Sequence, residues 1–230
     1  MDVTSLAFTV SVWALPVLIA VTFHEAAHGW IAWRLGDPTA HTMGRVSFNP
    51  LKHIDPFGTV LMPAIMLLVS SGAMMFGYAK PVPVDIRRLH NPKRDMVYVA
   101  AAGPVSNFFL AVLSATAFHA LVLLPEDVDV WVAHNLANSI RINLLLCVFN
   151  LIPLPPLDGG RIAVGLLPHP LAVKVANLER YGMLILIGMI FLLPYVGNLF
   201  GLNLNVFGWL VGVPAEFLQN FIVHAVGIVE

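Results

Sequence analysis

The fold class this sequence predicts is an all-α polytopic membrane protein: a bundle of about five to six transmembrane helices with a small membrane-associated β or re-entrant element. Three observations predict it. The 230 residues are 58% hydrophobic and 11% charged, whereas soluble chains carry about 25% charged residues. Mean hydropathy is +0.82. Apolar runs of about 20 residues, enough to cross a bilayer core of roughly 30 Å at about 1.5 Å per residue, recur between breaks rich in proline and glycine.

The first run, from about Ser5 to Trp33, ends at Arg34 and Gly36-Asp37-Pro38, a helix-breaking sequence. It resembles a signal sequence only in part: its apolar stretch is too long and lacks a basic leader, so it is expected to be retained. Residues 39–56 mix polar and β-prone side chains with Asn49-Pro50 and Asp55-Pro56, which reads as short extended segments and turns at the membrane surface. A second run, Phe57 to Phe76, is cut by Pro63 and Ser70-Ser71-Gly72, and Gly77 to Val84 contains Pro81 and Pro83. Those prolines exclude helix but allow an extended edge strand. The most basic stretch, with Arg87, Arg88, Lys93 and Arg94, precedes a third run from Met96 to Leu124. After an acidic turn at 125–129 the fourth run covers about Val132 to Ile152 and dissolves into Pro153-Leu-Pro-Pro156-Leu-Asp158-Gly-Gly. The fifth runs from Leu178 to Val196 and the sixth from Val206 to Val229. With no repeat or linker, residues 1–230 form one integral membrane domain, its core at 5–165 and accessory helices at 178–230. Gly208-Trp-Leu-Val-Gly212 has the spacing that lets helices pack closely; the oligomeric state stays open.

Composition also excludes. A net charge of −1 gives no electrostatic footprint for a nucleic acid. The single cysteine, Cys147, rules out an internal disulfide or a cysteine-rich metal site and is expected to be packing.

Chemistry concentrates at His24-Glu25-Ala26-Ala27-His28, inside the first apolar run. On a helix His24 and His28 share one face, so both imidazoles can bind one Zn²⁺, and Glu25 beside them can serve as a base. Two histidines and a glutamate are costly in lipid unless they are functional. Tetrahedral zinc with two histidines needs a third protein ligand. The candidate is Asp158: three prolines in four residues end the preceding helix, and Gly159-Gly160 let the backbone turn sharply. An Asp-Gly after prolines is by itself a turn signal; beside an intramembrane His-Glu-x-x-His it becomes a ligand candidate.

Zinc requires these residues at one depth. If 57–76 were a full crossing, Asp158 would emerge on the wrong side, and the basic groups at 34–52 and 87–94 would lie on opposite faces although both favour the cytoplasm. Segment 57–84 is therefore expected to enter and return, with the N-terminus outside and loops 34–56, 85–95 and 153–177 cytoplasmic. The edge strand near Tyr78 to Val84 could then pair with an extended substrate.

Three stretches together, His24-Glu25-Ala-Ala-His28, Gly103-Pro104-Val-Ser-Asn107 and Asn150 to Gly159, resemble the site-2 protease family of intramembrane zinc metalloproteases, peptidase family M50. The resemblance covers about residues 5 to 165. It implies one Zn²⁺ per chain held by His24, His28 and Asp158, Glu25 as catalytic base, and membrane-anchored protein substrates cut in or near their transmembrane segment. Asn150 and Asn107 match positions associated with substrate binding or active-site support. The sequence departs from many relatives in having neither an inserted PDZ domain nor a C-terminal CBS domain, like the minimal bacterial and archaeal members, which leans towards a prokaryotic plasma membrane. His53 is a possible neighbour of the ligands or of substrate, with an interfacial histidine as the plainer reading. The rival function is a membrane-embedded zinc carrier or sensor without proteolysis. Glu25 speaks against it, since transport needs no base beside the ligands.

Overall fold

The computed structural model describes residues 3–62, 65 and 79–228. Helix α1 spans Val3–Arg34, α2 Thr39–Thr42, α3 Pro92–Ala117, α4 Glu126–Asn150, α5 Asp158–Leu166, α6 His169–Ala176, α7 Glu179–Ile187, α8 Leu193–Leu199 and α9 Val213–Val226. No strand forms among the described residues. Four helices there are long and apolar enough to cross a membrane: Ala7–Arg34, Pro92–Leu123, Val128–Asn150 and Glu179–Leu199. Their outward side chains, Phe8, Val105, Phe109, Leu113 and Leu184 among them, are exposed, as a lipid-facing surface requires.

The expected count of five to six is thus not reached among the described residues. Most of the second run, Phe57 to Phe76, lies outside them. The sixth is helical without a break over 206–226, passing through a π-helical turn at Gly208–Gly212 into α9; Glu216, Gln219 and Asn220 fall inside that run, and it is not among the four. The surface segment 39–56 curls instead of extending. Asn49 accepts the Leu51 N–H at 3.0 Å and opens a 3-10 turn at Pro50–Lys52. Asp55 accepts the N–H groups of Phe57 and Gly58 at 3.0 and 2.7 Å and caps a π-helical turn from Pro56 to Leu61. Side chains that satisfy orphan N–H groups favour helical turns over strands.

Helix α3 is the centre of the bundle, packed on α1, α4 and α5. It starts at Pro92, where a missing N–H costs nothing, and buried Asp95 accepts the Asn91 N–H at 2.7 Å. Two apolar clusters set its ends. Ala32, Leu89 and Val99 lock the end of α1 to the start of α3. Ala111, Ala115, Ile140, Leu144, Ala215 and Ile222 join α3, α4 and α9 further along. A third, Leu154, Leu157 and Leu186, fixes the proline turn against α7.

The stretch 79–85 is extended but pairs with no neighbouring strand. It lies along α1 and the 44–53 loop: the Lys80 N–H donates to the His53 carbonyl at 3.0 Å, and the buried Arg45 guanidinium donates to the Lys80 carbonyl at 2.7 Å. The His90 N–H donates to the Leu35 carbonyl at 2.9 Å. The chain therefore leaves at His53 and is back at the same place by Lys80, next to the end of α1.

Candidate metal centre

His24 and His28 lie one turn apart on α1, and Asp158 opens α5. The Nε2 atoms of the two histidines are 3.0 Å apart, and each is 3.2 Å from Asp158 Oδ2. All three residues are buried. They are the one group of histidine, cysteine and acidic side chains among the described residues whose ligand atoms converge to hold a metal.

The hydrogen bonds behind the imidazoles decide what this cluster wants. His28 Nδ1 faces the Val99 carbonyl at 2.7 Å, and an oxygen there can only accept, so Nδ1 carries the proton. His24 Nδ1 faces Asn107 Oδ1 at 2.6 Å. The Asn107 amide is oriented by its Nδ2, which donates to the Ala20 carbonyl at 3.2 Å and to Asn143 Oδ1 at 2.8 Å. His24 Nδ1 must therefore donate as well. In the neutral imidazoles both Nε2 atoms then present lone pairs to each other and to Asp158 Oδ2, a buried carboxylate oxygen with no hydrogen-bond partner of its own.

Three lone pairs about 3 Å apart in a buried site repel unless positive charge stands between them. Ligand atoms about 2.0–2.1 Å from a tetrahedral Zn²⁺ are separated by about 3.3 Å, close to the 3.0–3.2 Å found. A Cβ added to Gly103 of α3 would come within 2.5–2.6 Å of both imidazoles. The bare face of α3 is thus what leaves the cluster its room. The donor set and its spacing fit zinc.

Asp158 reaches the histidines because α5 packs tightly under the proline turn. A Cβ on Gly159 would lie 2.3 Å from the Leu151 carbonyl oxygen, and one on Gly160 2.2 Å from the Pro155 nitrogen. Both glycines are helical, so close approach, not a sharp left-handed turn, is what demands them.

Glu25 is half-buried on α1, and its Oε2 accepts the Val82 N–H at 2.7 Å. Among the described residues its other oxygen makes no hydrogen bond. The expected edge strand thus has its Val82 donor on Glu25 and its Lys80 donor on His53, while Pro81 and Pro83 have none to offer. Asn107 is fully buried behind His24, with its Oδ1 against the imidazole Nδ1. Asn150 donates to the Leu146 carbonyl of its own helix at 3.0 Å; its bond is not to the ligand cluster. His53 is buried in the surface loop, donating from Nε2 to the Ser47 carbonyl at 2.9 Å. It holds that loop and does not touch the ligands. Sequence reasoning had no signal for Asn143, for Arg45 as a clamp, or for a backbone N–H on Glu25.

A helical membrane bundle that closes two histidines and an aspartate around one point, with a glutamate next in sequence to the first histidine, defines the class of membrane-embedded metallohydrolases. The comparisons narrow the class. The model for Peptidase family M50 matches residues 126–193, from α4 through Asp158 to α8. YwhC of Bacillus subtilis, named as a zinc metalloprotease, is 38% identical over 187 residues, covering 78% of this chain and 80% of YwhC. Rip2 of Mycolicibacterium smegmatis, named likewise, is 29% identical over 171 residues, 74% of this chain and 62% of that protein. Rip2 of Mycobacterium tuberculosis H37Rv is 28% identical over 198 residues, 85% of this chain and 68% of that protein. No solved structure matches the chain. The chain belongs to peptidase family M50, the site-2 protease family, and is a zinc metalloendopeptidase of the membrane.

Proposed function

We propose that the protein cleaves membrane-anchored protein substrates within or near their transmembrane segment, with one Zn²⁺ per chain held by His24, His28 and Asp158 and Glu25 as general base. The observation that carries this reading is the convergence of three unprotonated donor atoms beside a carboxylate, inside an apolar helix. His28 lies six residues and His24 ten residues before Arg34, about 9 and 15 Å along the helix axis. A site at that depth meets peptide bonds of a spanning segment, once that segment is unwound.

When bound, zinc supplies a Lewis acid for the peptide carbonyl and lowers the pKa of a water. The rest is done by the chain's own groups. Glu25 uses its unbonded oxygen to take a proton from the attacking water, while the Val82 N–H holds the other oxygen and so fixes the carboxylate's direction. The water oxygen joins the carbonyl carbon, the C–N bond breaks, and Glu25 returns the proton to the departing amine. Asn107 and the Val99 carbonyl keep both imidazole protons on Nδ1 throughout. The protein resides in a prokaryotic plasma membrane, with segment 57–84, most of which lies outside the described residues, entering and returning from the site's side. The Lys80–His53 hydrogen bond supports that path, and a reporter fused after residue 90 that reads extracellular would overturn it.

The test is zinc-dependent cleavage of a single-span protein in detergent by wild type and Glu25→Gln. Glutamine keeps the shape and removes the base, so zinc binding is retained and cleavage is lost. If both bind zinc and neither cuts any of a panel of single-span proteins, a zinc carrier or sensor takes the place of this reading.

A further inference from the structure

Helix α4 carries four asparagines, Asn135, Asn138, Asn143 and Asn150. Asn143 stands out because its bonds lead to a metal ligand. We infer that Asn143 is a positioning residue that acts through Asn107 to set which nitrogen of His24 is protonated. The inference rests on the zinc reading above.

Every proton in the relay is assignable. Asn143 is fully buried, and its Nδ2 donates to the Ser139 carbonyl at 2.9 Å and to Ser139 Oγ at 3.2 Å. A carbonyl accepts only, so Asn143 Oδ1 is left facing Asn107 and accepts its Nδ2 at 2.8 Å. The second Asn107 proton goes to the Ala20 carbonyl over a longer 3.2 Å. Asn107 Oδ1 is thereby turned to His24 Nδ1. Reversing the Asn107 amide would set its oxygen against the oxygens of Ala20 and Asn143 and its NH₂ against His24. His24 would then have to accept at Nδ1 and carry its proton on Nε2, where the metal belongs. Of the two bonds that oppose this reversal, the one to Asn143 is the shorter. Partners that fix a ligating histidine's tautomer in this way are typically worth a factor of about 10–100 in metal affinity.

A neighbouring asparagine supplies the control. Asn138, on the same helix, donates to the Val12 carbonyl of α1 at 2.9 Å and is also buried, but its bond does not involve Asn107. It is interhelical glue without a route to the ligands.

The experiment uses the full chain in detergent: zinc dissociation constants by chelator competition, thermal unfolding of the zinc-free protein, and kcat and KM on a single-span protein. Asn143→Leu is expected to weaken zinc roughly tenfold and to lower kcat with KM unchanged. Asn107→Leu weakens zinc at least as much, and adding Asn143→Leu to it changes nothing further, because the relay is already cut. Asn138→Leu lowers the unfolding temperature and leaves zinc affinity within about twofold of wild type. Asn143→Ala, which needs less room, carries the same expectation where the leucine variant does not fold. Zinc affinity of the Asn143 variants within twofold of a zinc-binding wild type overturns the relay alone, as does a loss fully additive with Asn107→Leu. A wild type that binds no zinc overturns the relay together with the reading of the site.

Discussion

Gly103→Ala tests the metal centre with one methyl group. The new Cβ would lie 2.5 Å from His24 Cε1, 2.5 Å from His28 Nε2 and 2.6 Å from His24 Nε2. Non-bonded contacts of this kind settle at about 3.5–4.0 Å, so the imidazoles must retreat by about 1 Å. The atoms met are the far ends of two side chains held from behind by Asn107 and the Val99 carbonyl, so the retreat also stretches those buried hydrogen bonds. The metal-free protein should therefore lose about 1–3 kcal/mol of stability. Zinc coordination tolerates only about 0.2 Å, and a 1 Å misplacement costs on the order of 100-fold in catalysis. The expected result is a loss of at least about 100-fold in zinc affinity, by chelator competition, with cleavage lost in parallel and a lower unfolding temperature of the zinc-free protein. Gly188→Ala, whose Cβ meets nothing within 4 Å, is the matched control. A Gly103→Ala protein that binds zinc within threefold of wild type would refute the claim that α3 bounds the metal position.

Three further outcomes follow from the same geometry. Asp158→Asn removes the one anionic donor of the cluster, so zinc affinity should fall beyond the roughly 100-fold seen for outer partners, measured by chelator competition at neutral pH. Gly160→Ala drives a Cβ to 2.2 Å from the Pro155 nitrogen; that clash is with backbone, so the variant should lose about 1–3 kcal/mol of stability, read as a lower unfolding temperature even without zinc. Arg45→Met frees the Lys80 carbonyl from its guanidinium and loosens the stretch that holds the Val82 N–H on Glu25. Cleavage should drop several-fold while zinc affinity stays at the wild-type value, and a parallel fall of both would show Arg45 acting on the ligands instead.

Membrane class and the core of the chemistry were legible because both are local. Composition reports the solvent a chain is built for, and the four-residue spacing of His24 and His28 converts to one helix face without any knowledge of the rest of the fold. Both ends of α1, the start of α3 and the end of α4 were readable to within four residues for the same reason, since proline, glycine and charged residues act on their own neighbourhood; α3 instead gives way to a 3-10 stretch after Ala117, and α4 already starts at Glu126, inside the stretch expected as an acidic turn. Of the short extended segments and turns expected over 39–56 only the turns form, because Asn49 and Asp55 cap helical turns, a choice made by individual side-chain hydrogen bonds and not by β-propensity. The sixth run suggested a crossing and is one unbroken helix over 206–226, but it carries Glu216, Gln219 and Asn220 and is not among the four long apolar spans.

What spacing could not contain is contact between distant parts. Asp158 was nominated by chemistry and resemblance. Its meeting with His24 across more than a hundred residues depends on α5 sliding under the proline turn, and Gly159 and Gly160 permit that approach. The bond of Val82 to Glu25 and the relay from Asn143 through Asn107 to His24 join residues 57, 36 and 83 positions apart. The sequence by itself determined a membrane-embedded helix with two zinc donors and a base on it. Only the tertiary structure decided which tautomers those donors adopt and what aims the base, because both follow from hydrogen bonds between packed helices, to which periodicity along one chain is blind.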